Sequence, residues 1–209
     1  MTVPGDNIAE CAPPDYDGDP MRAQILEAAQ RRFQTYGFTK TTMAEIASDL
    51  GMSAANLYRY FHNKQDIVAA CATRCMGERI ERLAAVVTTP GQSAADTLLA
   101  YVLDSLRHTH QLAAEQPRIN EMVETVTELR PDIVHWKIAA ESRLLEAILK
   151  QGNESGEFEV ADVAATACTI QAMLVKFHLP LFMSLFSLEE QEQQARSAVA
   201  LLLRGLEKR

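Results

Sequence analysis

Residues 41–64, TTMAEIASDLGMSAANLYRYFHNK, constrain the fold more than any other part of this 209-residue chain. Thr42 and Glu45 have the Thr-x-x-Glu spacing of a capping box, which predicts the start of a helix. Gly51 follows that helix, where a left-handed residue would end it. Ser53 can then cap a second short helix. Two short helices joined by a glycine turn form a helix-turn-helix, whose second helix is shaped to enter a DNA major groove.

The pattern within the second helix predicts which of its sides faces inward. Leu57, Tyr58 and Phe61 lie at helical spacing and are expected to form the inner stripe. Asparagine can bridge an adenine edge, and arginine can bridge guanine or hold phosphate, whereas alanine offers only a methyl group. The residues expected on the outer side are Ala54, Ala55, Asn56, Arg59 and Tyr60.

This segment also resembles the DNA-binding signature of the tetracycline-repressor (TetR) family. The matching residues are Phe38, Thr41, Thr42, Ile46, Ala47, Gly51, Ser53, Leu57, Tyr58, Tyr60, Phe61 and Lys64. Residues 25–37 are similar to the family's first helix, whereas the rest of the chain resembles the family in length and helical character only. The resemblance implies an all-α protein. An N-terminal three-helix head would bind DNA, and a C-terminal helical body would bind a ligand and dimerise.

The resemblance also implies a set of DNA contacts. Tyrosine hydroxyls and the Lys64 ammonium suit phosphates, and Thr42 can hold a phosphate at a helix N-terminus. The alternative is an ordinary two-helix corner whose polar residues are only solvated. We expect DNA to be contacted by Thr42, Ala54, Ala55, Asn56, Tyr58, Arg59, Tyr60 and Lys64.

The distribution of charge supports a nucleic-acid partner although the total charge does not. The formal net charge is −8, which ordinarily disfavours binding to nucleic acid. Residues 21–64, however, hold six Lys or Arg against three Asp or Glu, while residues 1–20 hold five acids and no base. The helix-turn-helix segment is therefore the basic part of the chain.

Composition along the chain predicts three regions. Residues 1–18 are rich in proline, glycine and acids, and are expected to be a disordered acidic tail. Residues 19–64 are predicted to be the DNA-binding domain, and residues 65–209 the ligand-binding and dimerisation domain. A first helix is expected to end near residue 36. In the body we expect helices at 64–87, 93–114, 116–129, 131–151, 160–182 and 188–206, with a loop at 152–156.

The last two predicted helices each carry an apolar stripe. The first stripe comprises Val160, Val163, Ala167, Ile170, Leu174, Phe177 and Leu181, and the second Leu188, Ala195, Ala198, Val199, Leu202 and Leu206. They predict a four-helix bundle between two subunits, as the family resemblance also implies, or else completion of the monomer core. A two-fold dimer implies a near-palindromic double-stranded DNA operator.

The body is also expected to hold a pocket for a small-molecule effector of unknown identity. Methionine and aromatic side chains make adaptable walls, and a few polar tips orient a ligand. Ordinary core packing is the alternative for each of these residues. The candidates are Tyr101, His110, Met122, Trp136, Met173, Phe177 and His178.

Two cysteines leave another mode of regulation open. Cys71 and Cys75 lie one helical turn apart and allow a thiol or metal sensor, although no histidine or carboxylate cluster flanks them. The scattered cysteines and the acidic N-terminus suit a cytoplasmic protein without signal peptide or membrane span.

No catalytic or phosphate-binding motif is evident, and no cofactor or metal is expected. Together with this absence, the family resemblance predicts a ligand-responsive repressor that is not an enzyme. An activator on the same fold remains open. The rival from another class is a helical-bundle enzyme or carrier with a vestigial DNA-binding head.

Overall fold

The computed structural model of the protein describes residues 19–206, and these form an all-α fold, as predicted. The predicted acidic tail, residues 1–18, lies outside the described residues. The helices are α1 (Pro20–Tyr36), α2 (Met43–Asp49), α3 (Ala54–Leu57), α4 (Lys64–Val87), α5 (Ala94–Glu115), α6 (Ile119–Leu129), α7 (Pro131–Ser155), α8 (Val163–Met173) and α9 (Leu188–Leu206).

The helix starts follow the capping signals in the sequence. The Asp19 carboxylate accepts from the Met21 N–H at 2.8 Å and begins α1. The Thr42–Glu45 capping box is formed at α2. A second box joins Ser187 and Glu190 at α9, where the Ser187 N–H and hydroxyl each donate to the Glu190 carboxylate at 2.8 Å. Local side-chain hydrogen bonds therefore fix where these helices begin.

Two predicted helix ends were wrong. Helix α7 continues to Ser155 through the predicted loop, and Gly156, with φ of 78°, ends it. Helix α8 begins at Val163 because the Asp162 carboxylate caps it, and it ends at Met173 rather than near residue 182. Two 3-10 turns, Val175–Phe177 and Pro180–Phe182, take the place of its predicted second half. Pro180, which opens the second of these turns, has no N–H and therefore cannot continue an α-helical ladder through this segment.

The described chain divides into two compact units. Unit 1 contains the described residues up to Glu78 together with Gln116–Lys137, and unit 2 contains Arg79–Glu115 and the described residues from Ile138 onward. The chain passes from one unit to the other inside α4 and inside α7. The functional boundary at residue 64 stays a prediction, because compactness does not test where DNA binding ends.

Each unit has its own apolar interior. Unit 1 buries one cluster drawn mainly from α1–α4, consisting of Ile25, Leu26, Ala28, Ala29, Phe33, Met43, Ile46, Ala47, Leu57, Phe61, Ile67, Val68, Ala70, Cys71 and Val126. In unit 2, α9 packs against α5 and buries Ala195 and Val199. The apolar stripe of α9 therefore contributes to the core of its own subunit. Completion of the monomer core was the alternative that the sequence left open beside a dimer interface.

Gly152 in α7 is buried because the Phe158 ring occupies the space that a side chain would need. We expect Gly152→Ala to destabilise the protein by about 1–3 kcal/mol, since the added methyl overlaps the ring. Gly205→Ala in α9 is the control, because its added carbon has no neighbour within 4 Å. That control should stabilise by up to about 1 kcal/mol. Urea unfolding measures both, and a Gly152→Ala protein as stable as wild type would contradict this packing.

Candidate nucleic-acid interface and ligand site

A left-handed glycine makes the turn between α2 and α3. Gly51 has φ of 65°, which a residue with a side chain adopts only with strain. The Met52 N–H donates to the Ala47 carbonyl at 3.0 Å and closes the turn behind it. The Ser53 hydroxyl accepts from the Asn56 N–H at 3.2 Å and begins α3. These contacts set the direction in which α3 leaves α2.

Two sets of contacts fix the position of α3. Its apolar side packs into the core of unit 1, and an arginine of α1 binds the turn that follows it. Leu57 is fully buried and Phe61 nearly so, both within the core of unit 1. The Arg22 guanidinium lies 4.2 Å from the centre of the Phe61 ring and donates to the Tyr60 carbonyl at 2.7 Å. This arginine therefore fixes the turn that follows α3.

The predicted inward and outward roles of two tyrosines were wrong. Tyr58, predicted to be part of the inner stripe, is 48% exposed, whereas Tyr60, predicted to face outward, packs against the core of unit 1. The reason is that α3 comprises only Ala54–Leu57, and the following residues form turns rather than a continued α-helix. Ala55 and Arg59 are exposed, and Ala54 and Asn56 are half-buried.

Thr42 is exposed, but its polar groups bind Glu45. The Thr42 N–H and hydroxyl each donate to the Glu45 carboxylate at 2.8 Å, and the hydroxyl accepts from the Glu45 N–H at 3.3 Å. Hydrogen bonds from Thr42 lower the pKa of Glu45. A phosphate bound at Thr42 would have to compete with the Glu45 carboxylate for the Thr42 N–H and hydroxyl.

Three of the six bases in residues 21–64 have partners inside the head. Besides Arg22, Arg32 donates to both oxygens of Asp49, at 2.5 and 2.8 Å. That hydrogen bond raises the pKa of Arg32 and lowers the pKa of Asp49. Lys64 binds backbone carbonyls, as described below. The other three bases, Arg31, Lys40 and Arg59, are exposed. Sequence analysis assigned a DNA contact to only one of these three, Arg59.

In unit 2 the structure brings together three of the predicted ligand residues. Tyr101 of α5 is fully buried, and its ring meets the His178 ring edge-on, with centroids 6.2 Å apart. Phe177, next to His178, is also buried. The Tyr101 hydroxyl has no hydrogen-bond partner among the described residues. Burial raises the pKa of Tyr101, so the group is a neutral phenol that can donate or accept.

A buried ion pair lies in the same unit and was missed by sequence analysis. The Arg79 Nε donates to Glu141 at 2.9 Å, and the guanidinium also donates to Thr109 at 3.1 Å and to Ser105. Arg79 is 8% exposed and Glu141 2%. After burial, which is the larger cause, the negative charge of Glu141 raises the pKa of Tyr101 and the positive charge of Arg79 lowers it. The sequence does show charged residues within apolar helices. It could not show that Arg79 pairs with Glu141, because the two residues lie 62 positions apart.

The other predicted ligand residues do not join this group. Met122 packs against the core of unit 1, and Trp136 is half-buried in that unit. Met173 is 56% exposed at the end of α8, and His110 is half-buried in α5.

Cys71, one of the two cysteines, does not have the chemistry of a thiol sensor. Burial raises the pKa of Cys71 to about 12, and its thiol donates to the Leu26 carbonyl at 3.6 Å. Because the thiolate is the reactive form, this cysteine is poorly suited to oxidation near neutral pH. Across residues 19–206, no group of three or more His, Cys, Asp or Glu is placed to hold a metal ion. Nor does that range contain a helix that could span a membrane.

Two family models match the chain, one over its N-terminal part and one over its C-terminal part. Residues 25–71 match the model for bacterial regulatory proteins of the tetR family. Residues 94–199 match the model for a tetracyclin repressor-like C-terminal domain. The second match alone covers half of the chain.

Individual proteins show the same similarity. The chain is 27% identical over 146 residues to the fatty acid metabolism regulator protein of Bacillus subtilis strain 168, covering 67% of this chain and 72% of that protein. A putative transcriptional regulator from Pseudomonas aeruginosa PAO1 has the same fold, with a TM-score of 0.71, 20% identity and coverage of 90% and 94%. The SmeT–triclosan complex has a TM-score of 0.66, 19% identity and coverage of 91% and 93%.

Proposed function

This chain belongs to the TetR family of bacterial transcriptional regulators, and we propose that it is a homodimeric repressor released from a near-palindromic operator by a small molecule. The observation that carries the DNA-binding part is the fixed helix-turn-helix of unit 1. Its second helix is held on one side by Leu57 and Phe61, so the opposite side is free to face DNA. Such a regulator acts in the cytoplasm, where the chromosome is.

We assign base contacts to the N-terminal residues of α3 and phosphate contacts to the residues around it. The exposed Ala55 methyl and the half-buried Asn56 amide suit base edges in a major groove. The exposed Tyr58 and Arg59 side chains suit phosphate or guanine. Ala54, Tyr60 and Thr42 complete the surface, with less freedom because of their packing or capping contacts.

We expect Arg59→Gln to weaken DNA binding and to reduce the salt dependence of that binding. Each lost phosphate contact lowers the slope of log affinity against log salt by about 0.9. The control is Glu27→Gln, which changes charge at an exposed position on α1. Fluorescence anisotropy with a labelled duplex over a range of salt measures the slope. An Arg59→Gln slope equal to wild type would rule out a phosphate contact by Arg59.

The proposal of a dimer rests on apolar side chains that α8, α9 and the segment between them leave exposed. They are Met173 (56% exposed), Val175 (48%), Leu181 (58%), Leu185 (64%), Phe186 (38%) and Leu201 (63%). These six residues lie within residues 173–201, and exposed apolar side chains that gather on one surface mark an interaction site. A second copy of the chain is the partner that the TetR family and a two-fold operator both favour.

Leu201→Glu should weaken dimerisation by at least about tenfold, because it places a carboxylate on this apolar surface. Operator binding should fall with it. Gln193→Glu is the matched control, since it adds the same charge at an exposed polar position of α9. Sedimentation velocity measures the dimer. A Leu201→Glu protein that remains fully dimeric would show that the interface lies elsewhere.

We place the effector at the Tyr101 hydroxyl in unit 2. Arg79 and Glu141 compensate each other's charge, so a ligand beside them needs no charge of its own. The proposed effector is therefore an apolar molecule with one uncharged hydrogen-bonding group; the SmeT complex with triclosan supports a small-molecule effector of this kind. Helix α4 runs unbroken from Lys64 of unit 1 to Val87 of unit 2, and can transmit a shift to the head.

Tyr101→Phe should lower affinity for such an effector about fivefold, the value of one neutral hydrogen bond. Triclosan and other uncharged phenols are suitable probes, with binding followed by thermal shift. The control is Tyr36→Phe, because Tyr36 is 52% exposed on α1. A true effector must also bind more weakly when operator is present, by the same factor by which it weakens operator binding. Unchanged affinity in Tyr101→Phe for a compound that releases DNA would place the site elsewhere.

A further inference from the structure

Lys64, the first residue of α4, has an ammonium group directed into the protein. Its Nζ donates to the Phe38 carbonyl at 2.6 Å and to the Thr41 carbonyl at 2.7 Å, and lies 3.5 Å from the Thr39 carbonyl. The same nitrogen lies 4.2 Å from the centre of the Phe38 ring. An ammonium has three N–H donors, so these carbonyls account for all of its hydrogen-bonding capacity.

We infer that Lys64 is a positioning residue that holds the α1–α2 loop in place, and that it does not contact a DNA phosphate. To reach a phosphate, the ammonium would have to release its carbonyl partners and leave the Phe38 ring. Hydrogen bonds from a charged donor are the stronger kind, and a partly buried cation–π contact adds to them. Burial already lowers the pKa of Lys64, as expected for an ammonium partly withdrawn from water.

The loop that Lys64 holds determines where α2 begins. The Thr41 hydroxyl donates to the Gly37 carbonyl at 2.8 Å, and the Phe38 ring packs against Phe33 with centroids 5.6 Å apart. Thr42, the next residue, is the N-cap of α2. Because α2 packs against both α1 and α3, a shift of this cap moves the DNA-facing side of α3 as well.

Other contacts fix the far side of the same loop. The Phe38 N–H donates to the Glu121 carboxylate at 3.1 Å, and Arg118 contacts that carboxylate at 3.0 Å. Lys64 thus binds the carbonyl of Phe38, and Glu121 binds the N–H of the same residue. Removal of the Lys64 ammonium leaves the Phe38 and Thr41 carbonyls without this donor.

The inference rests on the proposed DNA-binding function, and salt dependence separates it from a phosphate contact. Lys64→Met keeps the apolar stem and removes the ammonium, while Lys64→Arg retains charge and donors. The probes are a duplex enriched by the wild-type protein from a random library, and an unselected duplex of the same length. Arg59→Gln serves as the reference for a true loss of phosphate contact.

We expect Lys64→Met to lower affinity for the enriched duplex about tenfold while its salt slope stays equal to that of wild type. Affinity for the unselected duplex should hardly change, so the ratio of specific to non-specific binding falls. Lys64→Arg should recover part of the lost affinity. The measurements are made well below the melting temperature of each variant, where a residue that served only stability would leave that ratio unchanged.

A slope reduced by about 0.9 per head in Lys64→Met, as for Arg59→Gln, would overturn the inference. So would an unchanged ratio of specific to non-specific binding. If Lys64→Met does not fold, the rate at which each lysine of the wild-type protein is acetylated tests the inference instead. Without DNA, Lys64 should react much more slowly than the exposed Lys40, and equal rates would refute the assignment. Failure of the proposed function is distinct, because the wild type would then enrich no duplex.

Discussion

Burial of Leu57 and Phe61 beside α1 and α2 is the constraint on which the DNA-facing surface depends. Helix α3 has only four residues, too few to be stable without tertiary contacts. Its position is therefore set by the apolar core below it, by the left-handed turn at Gly51 and by Arg22 at the following turn. The same packing buries Leu57 on one side of α3 and leaves Ala55 exposed on the other.

The head also uses much of its positive charge to maintain its own shape. Arg22, Arg32 and Lys64 bind a carbonyl, a carboxylate and a set of loop carbonyls, respectively. Counting bases in the sequence therefore overstates the number of basic side chains available for direct contact with DNA. Arg31, Lys40 and Arg59 remain exposed, and we expect the direct phosphate contacts by bases of this segment to come from them. Specificity then depends on how accurately the head positions a small number of side chains.

Local signals in the sequence were enough to predict most helix starts, and the family resemblance implied the all-α class. The bounds of α4 and α9 agree with prediction, because a cap or capping box marks each start. The inward and outward assignment of Tyr58 and Tyr60 failed because it assumed a regular helix where the chain makes turns. The end of α8 was missed because apolar periodicity continues through residues that form 3-10 turns.

Long-range contacts could not be predicted from a single sequence. Nothing in residues 116–137 indicates that they belong to the compact unit of the helix-turn-helix, where Glu121 binds the Phe38 N–H across 83 positions. The Arg79–Glu141 pair is another example. The residues expected to contact DNA were likewise assigned by the family resemblance and not from spacing alone.

Selection of duplexes by the purified wild-type protein from a random library, followed by footprinting of the enriched sequence, tests the central claim most directly. A two-fold regulator with a fixed recognition helix should enrich one near-palindromic sequence and protect two half-sites related by symmetry. Its affinity should exceed that for unselected DNA by at least about 10³ at physiological salt. Enrichment of no sequence, or protection of a single asymmetric site by one subunit, would contradict the account.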